Sequence, residues 1–458
     1  MKRDYDRWEI MFVGVVFTAG LVLRLRLALL NYLNPDEALH ALLAFGTWGD
    51  ALRNSLKVTH PPLLIVITHA VSLISRTELA LRLVPVLAGS LFPLLLFAWL
   101  RRAAGMMAAM AALFLLTLAP HLITVSAQLR SYTLALLFLS ASLVVLEEAL
   151  ESDRRWTMAV YSVLLWLCIL SDYSMAWFAG AAGLYALLRL CGSSARVKAT
   201  WAVGQLAALV LYGVLFTMQV QQYRANGVAQ EAVSVFLRAE FPQPGGMLVF
   251  PFAGTLKQFA YLMASVPIGG LALVLFVAAV FSLWAGRMGI ERSKARALSL
   301  LLVVPFALAI AGAYAHQFPY GRSRHTLVIG LFAATGVAVF LQTLPRRTAM
   351  AILWGALLLT PLWHWWADQD RLDISSDRNR KELILQCLDY MRAAIPSDAV
   401  IFTERETLSI LAYYAGHKPI VRPHDPDGVK PVQLDVLTDD LPKESVTREF
   451  SETLLGGR

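Results

Sequence analysis

Two acidic side chains, Asp36 and Glu37, stand side by side shortly after the first long apolar run of the sequence. Placing an acidic residue next to an apolar run of membrane-spanning length costs free energy. Such residues usually belong to a functional site, to a transport pathway or to a contact with a partner. One carboxylate could take a proton from an acceptor hydroxyl while the other orients the pair. The same residues also suit a helix start, with Asn34 as N-cap, Pro35 in the first turn and Glu37 at the third helical position. Catalysis and capping therefore both stay open for this motif.

A second motif, His60-Pro61-Pro62-Leu63, lies further along the sequence after the acidic pair. Proline is common at a helix start, and a lone histidine is more often structural than catalytic, so His60 has a structural and a functional interpretation. His40 lies one helical turn after Asp36. Asp36, His40 and His60 could together offer ligands to a divalent metal ion, although nothing in the sequence fixes how the loop brings them together.

Arginines at the predicted external ends of apolar runs form a third group. Arg82 begins the second run, Arg130 lies in a Ser-Ala-Gln-Leu-Arg-Ser-Tyr stretch, and Arg322 and Arg324 share one later loop. A guanidinium binds phosphate through two parallel hydrogen bonds and stays positively charged. It is therefore suited to stabilise a lipid phosphate that departs as the leaving group. Any single arginine at such an end could instead reach up to the lipid headgroups. Three separate loops with arginine on one face favour the phosphate role.

The composition argues for a membrane protein. Of the 458 residues, 57% are hydrophobic and 16% are charged, whereas soluble domains carry roughly 25% charged residues. Apolar runs of about twenty residues recur, which is the length of a bilayer-spanning helix. The net charge of +8 comes from short basic clusters between these runs, which does not suggest nucleic-acid binding. Cys168, Cys191 and Cys387 show no metal or disulfide spacing.

The basic clusters set the predicted orientation, because Lys and Arg are enriched in cytoplasmic loops. Placing all of them inside gives a cytoplasmic N-terminus, eleven spans and an external tail from Ala367. The run 63–74 is too short to cross, and as a span it would move Arg101 and Arg102 outside. Residues 31–79 are therefore predicted to be one long external loop with two helices on the membrane surface. The predicted spans are 10–30, 80–100, 105–121, 132–150, 156–172, 173–190, 200–220, 264–284, 298–315, 326–344 and 349–366.

The tail has a different pattern. Its sequence pattern predicts a helix at 381–395, a strand at 399–403, a second helix at 406–415 and a second strand at 418–422. This order predicts a small water-exposed α/β domain, and without a Gly-rich phosphate loop it is not predicted to bind a nucleotide. The predicted domains are a membrane domain, 1–366, and an external C-terminal domain, 367–458.

The order of these motifs resembles the membrane-embedded GT-C glycosyltransferases. It is most similar to the group of protein O-mannosyltransferases and aminoarabinose lipid A transferases, with their bacterial relatives that glycosylate lipopolysaccharide cores. Those enzymes share an acidic pair in the first external loop, an (H/K)PPL segment and an arginine opening the second span, as in Ala80-Leu81-Arg82-Leu83. Residues 126–134 resemble their S-x-x-x-R-x-Y-x-L stretch. The resemblance is good over residues 10–150 and looser beyond them.

The resemblance implies a sugar donor linked to polyprenyl phosphate, inversion at the anomeric carbon, and Asp36 as the base for the acceptor hydroxyl. Glu37 would assist Asp36 or touch the acceptor. The chain lacks a large β-rich insertion between its late spans, so a glycan or lipid acceptor is favoured over a protein. Relatives differ in their use of a divalent metal. The further residues it implies are Arg82, Arg130, Arg322 and Arg324 for the lipid phosphate, with Arg324 ahead of Arg322, and His60 and Tyr132 for positioning the acceptor or the loop.

Other classes of protein remain as alternatives. A transporter or flippase for a polyprenyl-linked substrate would place polar sites near the bilayer midplane and often shows internal repeats, neither of which is visible here. A non-catalytic subunit would lack the first-loop acid, which Asp36 supplies. A glycan polymerase or ligase would differ mainly in donor length. The sequence therefore favours a polytopic all-α glycosyltransferase in the inner (plasma) membrane.

Overall fold

The computed structural model describes residues 7–56, 58, 60–221, 237–367, 380–394, 400–403, 405–416 and 433–436. The chain divides into two compact units. The first unit comprises Met1–Arg26, Ser55–Leu64 and Arg82–Asp373. The second unit comprises Leu27–Asn54, Ile65–Leu81 and Ile374–Arg458.

Helices dominate the described residues. The helices up to the middle of the chain are α1 Arg7–Leu30, α2 Pro35–Ala44, α3 Trp48–Ser55, α4 Leu63–Ser72, α5 Glu78–Ala103, α6 Met106–Leu118, α7 Pro120–Ser126, α8 Tyr132–Ser152, α9 Arg155–Ser171, α10 Met175–Arg189 and α11 Ala195–Leu215. The later ones are α12 Phe250–Met263, α13 Val266–Trp284, α14 Arg292–Tyr314, α15 Leu327–Leu341, α16 Arg346–Trp366, α17 Lys381–Ala394 and α18 Arg405–Gly416. Two strands, β1 Val400–Thr403 and β2 Gln433–Val436, pair in parallel.

All eleven predicted spans are helical in the structure. Among the described residues, eight helices are long and apolar enough to cross a membrane, and the bent pair α6–α7 makes nine. The predicted eleven also include α9, whose 17 residues fall short of that length, and α16. The predicted polytopic all-α fold is thereby confirmed. Helix α4 has 10 residues, about 15 Å at 1.5 Å per residue, against a hydrocarbon core of about 30 Å.

The third predicted span is broken rather than straight. Helices α6 and α7 meet at an angle of 60°, because Pro120 has no N–H to continue the helix. The break leaves carbonyl groups at the end of α6 without their helical donors. Arg24, which is fully buried, supplies donors to two of them, at 2.8 Å to Thr117 O and 3.4 Å to Leu116 O. Arg24 therefore stabilises the broken span.

A network of charged side chains joins three helices at one end of the first unit. Glu147, near the end of α8, has no solvent exposure. Its carboxylate lies 2.5 Å from Lys294 Nζ of α14 and 3.3 Å from Arg189 of α10, and it accepts a hydrogen bond from the Tyr185 hydroxyl at 2.7 Å. A buried carboxylate is tolerated only with such partners. The network ties helices that are far apart in sequence.

The second unit contains three helices of the predicted external loop, α2, α3 and α4, where two were predicted. The extra helix, α3, begins with a reciprocal cap: Asp50 accepts from Thr47 N at 3.0 Å, and Thr47 Oγ1 accepts from Asp50 N at 3.2 Å. In the tail, the helices at 381 and 406 and the strand near 400 are confirmed as α17, α18 and β1. The predicted strand 418–422 lies outside the described residues. The sequence pattern did not predict β2.

Candidate active site

The acidic pair opens helix α2 in the second unit. Asn34 is the N-cap: its side chain accepts from Glu37 N at 3.1 Å, and the Glu37 carboxylate accepts from Asn34 N at 3.1 Å. This is the reciprocal capping box that the sequence suggested. Glu37 is 1% exposed, whereas the neighbouring Asp36 is partly exposed. The two carboxylates thus occupy different environments, one inside the cap and one at the surface.

The three residues considered for a metal ion do not all lie in one unit. Asp36 and the buried His40 lie one turn apart on α2 in the second unit, whereas His60 belongs to the first. The part of the chain that the structure describes holds no group of three His, Cys, Asp or Glu side chains suited to a metal ion. A metal at these residues remains a prediction only.

In the first unit, three predicted residues from two distant segments come together. Arg130 lies in the turn after α7, and Tyr132 begins α8; they are 2% and 4% exposed. The Tyr132 ring packs edge-on against the ring of His325, with centroids 6.1 Å apart. His325 follows Arg324 in a 3₁₀ turn, and the positive charges of both Arg324 and Arg130 act on it. The result is a local concentration of positive charge next to a tyrosine.

Helix α5 lies against the same turn. The Thr133 hydroxyl at the start of α8 donates to the Pro85 carbonyl of α5 at 3.0 Å. Arg82 lies one turn before Pro85 and is 1% exposed. The bend at Pro120 is what brings the chain from α6 to this position. Arg82, Arg130 and Arg324 are therefore carried by elements that pack together in the first unit.

The loop with Arg322 and Arg324 is organised by a residue that sequence reasoning missed. The carbonyl of Glu240 accepts from Tyr320 N at 2.9 Å, and its carboxylate accepts from the Arg322 backbone N–H. Gly321 has a φ of +131°, and a Cβ there would collide with that carboxylate. Burial raises the pKa of Glu240 although nearby positive charges lower it. The sequence signal for Glu240 was that it is an acidic residue in the predicted external segment 221–263.

Asp172 is a second missed acid. It follows α9, is 7% exposed, and accepts hydrogen bonds from Ser174 N at 2.8 Å and from the Ser131 side chain. Ser131 stands between Arg130 and Tyr132, so Asp172 holds the turn that carries the arginine. Its position at the predicted external junction of the fifth and sixth spans was the signal in the sequence.

The backbone of His60 is fixed by Gln219, which no sequence signal indicated. Gln219 lies in a π-helical turn, Phe216–Val220, at the end of α11. Its amide nitrogen donates to Ser55 O at 2.6 Å and to His60 O at 3.2 Å, and its amide oxygen accepts from the Tyr173 hydroxyl. Such irregular turns recur at functional sites. Gln219 therefore anchors the start of the His-Pro-Pro segment within the first unit.

The sequence and fold are similar to those of known proteins. Residues 59–217 match the family described as dolichyl-phosphate-mannose-protein mannosyltransferase. The fold is similar to that of ArnT from Cupriavidus metallidurans bound to undecaprenyl phosphate, with 15% identity and a TM-score of 0.58 over 98% of this chain and 88% of that one. No curated protein sequence matches this chain.

The archaeal oligosaccharyltransferase of Archaeoglobus fulgidus is also similar. As AglB in complex with an inhibitory peptide and a dolichol-phosphate, it gives 14% identity and a TM-score of 0.51, over 91% of this chain and 65% of that one. The structure of the same protein tethered with an acceptor peptide gives 12% identity and a TM-score of 0.51, over 90% of this chain and 64% of that one. This chain thus spans less than two thirds of the archaeal protein. The family match and the shared fold confirm the predicted resemblance to the GT-C membrane glycosyltransferases.

Proposed function

We propose that this protein transfers a sugar from a polyprenyl-phosphate donor to a hydroxyl group of a glycan or lipid acceptor. The observation that carries the proposal is the joining of Arg130, Tyr132 and Arg324 in the first unit, from segments nearly two hundred residues apart. Buried or partly buried arginines suit an anionic group such as a phosphate, because a guanidinium stays charged and can donate two parallel hydrogen bonds to it. The lipid phosphates bound by ArnT and AglB support the same class of donor.

The proposed step is a single displacement. Asp36 takes the proton of the acceptor hydroxyl, the hydroxyl oxygen bonds to the anomeric carbon, and the bond from that carbon to the phosphate oxygen breaks. Negative charge then grows on the departing lipid phosphate, where Arg324, Arg130 and Arg82 stabilise it. Displacement by this route inverts the anomeric carbon.

Asp36 and Glu37 are assigned different tasks on the basis of their environments. The Glu37 carboxylate is buried and bonded to the N-cap, so it fixes the start of α2. Asp36 is the partly exposed member of the pair and can meet a hydroxyl. His60 is assigned to positioning, since Gln219 holds its carbonyl.

We further propose that the protein lies in the inner (plasma) membrane with its N-terminus in the cytoplasm and its C-terminal domain outside. Positively charged segments set this orientation in the sequence. The contacts within the first unit support it: Glu147, Arg189 and Lys294 cluster at one predicted side. Ser131 and Asp172 belong to the other predicted side and are joined by a hydrogen bond.

The test is Asp36→Asn in purified enzyme supplied with a polyprenyl-phosphate sugar and an acceptor. Loss of a general base should lower the transfer rate by roughly 10²–10⁴-fold, while donor binding is unchanged. The matched control is Asp50→Asn in the same unit, which removes a carboxylate that caps α3 and pairs with Arg53. A near-normal rate for Asp36→Asn would refute the assignment.

Glu37→Gln separates the two carboxylates. Glutamine also completes a capping box, so this variant should keep the fold and most of the activity. If Glu37→Gln loses as much activity as Asp36→Asn, Glu37 takes part in the chemistry and the division of tasks is wrong.

A further inference from the structure

The second unit contains a partly open cavity of about 460 Å³, lined by residues to which the proposed reaction assigns no role. Its volume falls within the range of small-molecule sites, roughly 300–1,000 Å³. One side is lined by apolar residues of α1, α5 and α17. The other side is lined by charged and aromatic residues of the α4–α5 loop, α17 and α18. The lining includes Leu29, Leu385, Arg76, Glu78, Lys381 and Tyr413.

The polar wall is rigid. The Glu78 carboxylate binds Lys381 and accepts from the Tyr414 hydroxyl, and that hydroxyl in turn accepts from Leu33 N at 2.9 Å. The Tyr413 hydroxyl donates to the Arg76 carbonyl at 2.8 Å. These bonds fix α18 against the α4–α5 loop and give the cavity a defined shape.

Arg76 gives this wall its net positive charge. Glu78 and Lys381 neutralise each other, and Arg76 has no carboxylate partner within the described part of the chain. Its guanidinium lies 4.7 Å from the centroid of the Phe45 ring, and that ring stacks on Tyr413. Cation–π contact holds the group in place while its N–H donors stay available to an anion. The cavity therefore favours a ligand with negative charge.

The apolar wall is formed at the ends of two candidate membrane-spanning helices. Helices α1 and α5 are both long enough to span, and the cavity is lined by the last turns of α1 and the first turn of α5. Leu29 and Leu385 line the cavity and are 55% and 41% exposed. Just before Arg76, Ile74 is 90% exposed, as expected for a side chain that enters the lipid interface. A lipid chain can therefore reach the apolar wall.

We infer that this cavity binds a membrane amphiphile with an anionic, phosphate-bearing headgroup: the headgroup at Arg76 and the first methylenes of its chains against Leu29 and Leu385. Two kinds of lipid offer this chemistry, an ordinary anionic phospholipid and a phosphorylated glycolipid that serves as acceptor. The acceptor identity rests on the proposed function, whereas binding of the amphiphile does not.

The test uses the full-length protein in detergent, with native mass spectrometry and two probes, phosphatidylglycerol and phosphatidylcholine. We expect phosphatidylglycerol to bind more tightly. Arg76→Gln and the cavity-filling Leu385→Trp should each weaken that binding by about tenfold, the effect of losing one charge-assisted contact or the space itself. Leu383→Trp is the matched control, because Leu383 is on the same helix, is 48% exposed and does not line the cavity. Equal binding of the two lipids, or wild-type binding by Leu385→Trp, would overturn the inference.

A second measurement identifies the source of the lipid. If a phosphorylated glycolipid displaces phosphatidylglycerol, and Leu385→Trp raises the KM for that acceptor but not for the donor, the cavity is the acceptor site. If the glycolipid does not displace it, the cavity holds a structural phospholipid. Asp36→Asn should bind phosphatidylglycerol normally, so failure of the proposed reaction and failure of the cavity assignment are separable.

Discussion

Glycine at position 89 allows α5 to contact α7 closely, and Gly89→Ala should disturb that contact. A Cβ at this position would lie 2.5 Å from Ser126 Cβ and 3.3 Å from Arg24 Nε. Carbon atoms in contact are normally about 3.5–4.0 Å apart, so α7 must move by roughly 1 Å. The Ser126 hydroxyl can rotate away, but its Cβ cannot.

Overpacking of this kind costs about 1–3 kcal/mol. The free energy of unfolding, measured in mixed SDS micelles, should fall by that amount. Arg130 follows Ser126 by four residues, so the transfer rate should fall as well, because a displacement of about 1 Å can cost up to about 10²-fold. Donor affinity should weaken with it.

Two further variants make the test specific. Gly14→Ala on α1 has no atom within 4 Å of the new Cβ, and it should be neutral or stabilise by up to about 1 kcal/mol through helix propensity. Ser126→Gly removes the colliding atom, so the double variant should recover activity relative to Gly89→Ala alone. If Gly89→Ala is as stable and active as Gly14→Ala, the packing argument is wrong.

Three variants and two reporter fusions test the remaining assignments. Arg324→Lys keeps the charge but loses the planar fork, so we expect the transfer rate to fall by about 10²-fold with a smaller change in donor affinity; Arg322→Lys should be more tolerant, and a wild-type rate for Arg324→Lys would remove it from the site. The buried Glu240 has a raised pKa, so its contribution to stability is present below the unfolded carboxyl pKa of about 4.3 and is lost as pH rises through the folded value. Glu240→Gln should lack this loss, so the thermal midpoints of the wild-type protein and the variant should diverge as the pH rises from 4 to 8. Parallel curves would show that the burial argument is wrong. Finally, a topology reporter fused after Ala367 should lie on the external side, and one fused at Gly105 should lie in the cytoplasm. An external reporter at Gly105 would mean that the orientation is inverted or that the spans are miscounted.

The helices were predictable because long apolar runs leave few other structures possible in a membrane. The cap on α2 was also predictable, since Asn34-Pro35-Asp36-Glu37 carries its signal within four residues. Helix α3 was missed because it is short, half of its eight residues are polar, and its cap is formed by Thr47 and Asp50 without a proline.

The parts of the candidate site that could not be predicted depend on distant partners. Gln219 reaches a carbonyl 159 residues away, and Arg24 reaches one 93 residues away. In both cases the acceptor is a backbone carbonyl, which every residue carries, so residue type gives no sign of the partner. For Arg24, nothing near it in the sequence indicates the carbonyl groups that it binds. Its role follows from the break at Pro120.

The buried Glu147 has a consequence for how the protein is made. During synthesis α8 enters the membrane about 150 residues before Lys294 exists, which at roughly 5–20 residues per second is about 8–30 s. During that interval Arg189, only 42 residues later, is the earlier cation available to the carboxylate. Helices α8 and α10 are then expected to leave the insertion machinery as a pair, with α14 joining them afterwards. The order in which cations are translated would thus set the order in which this bundle assembles.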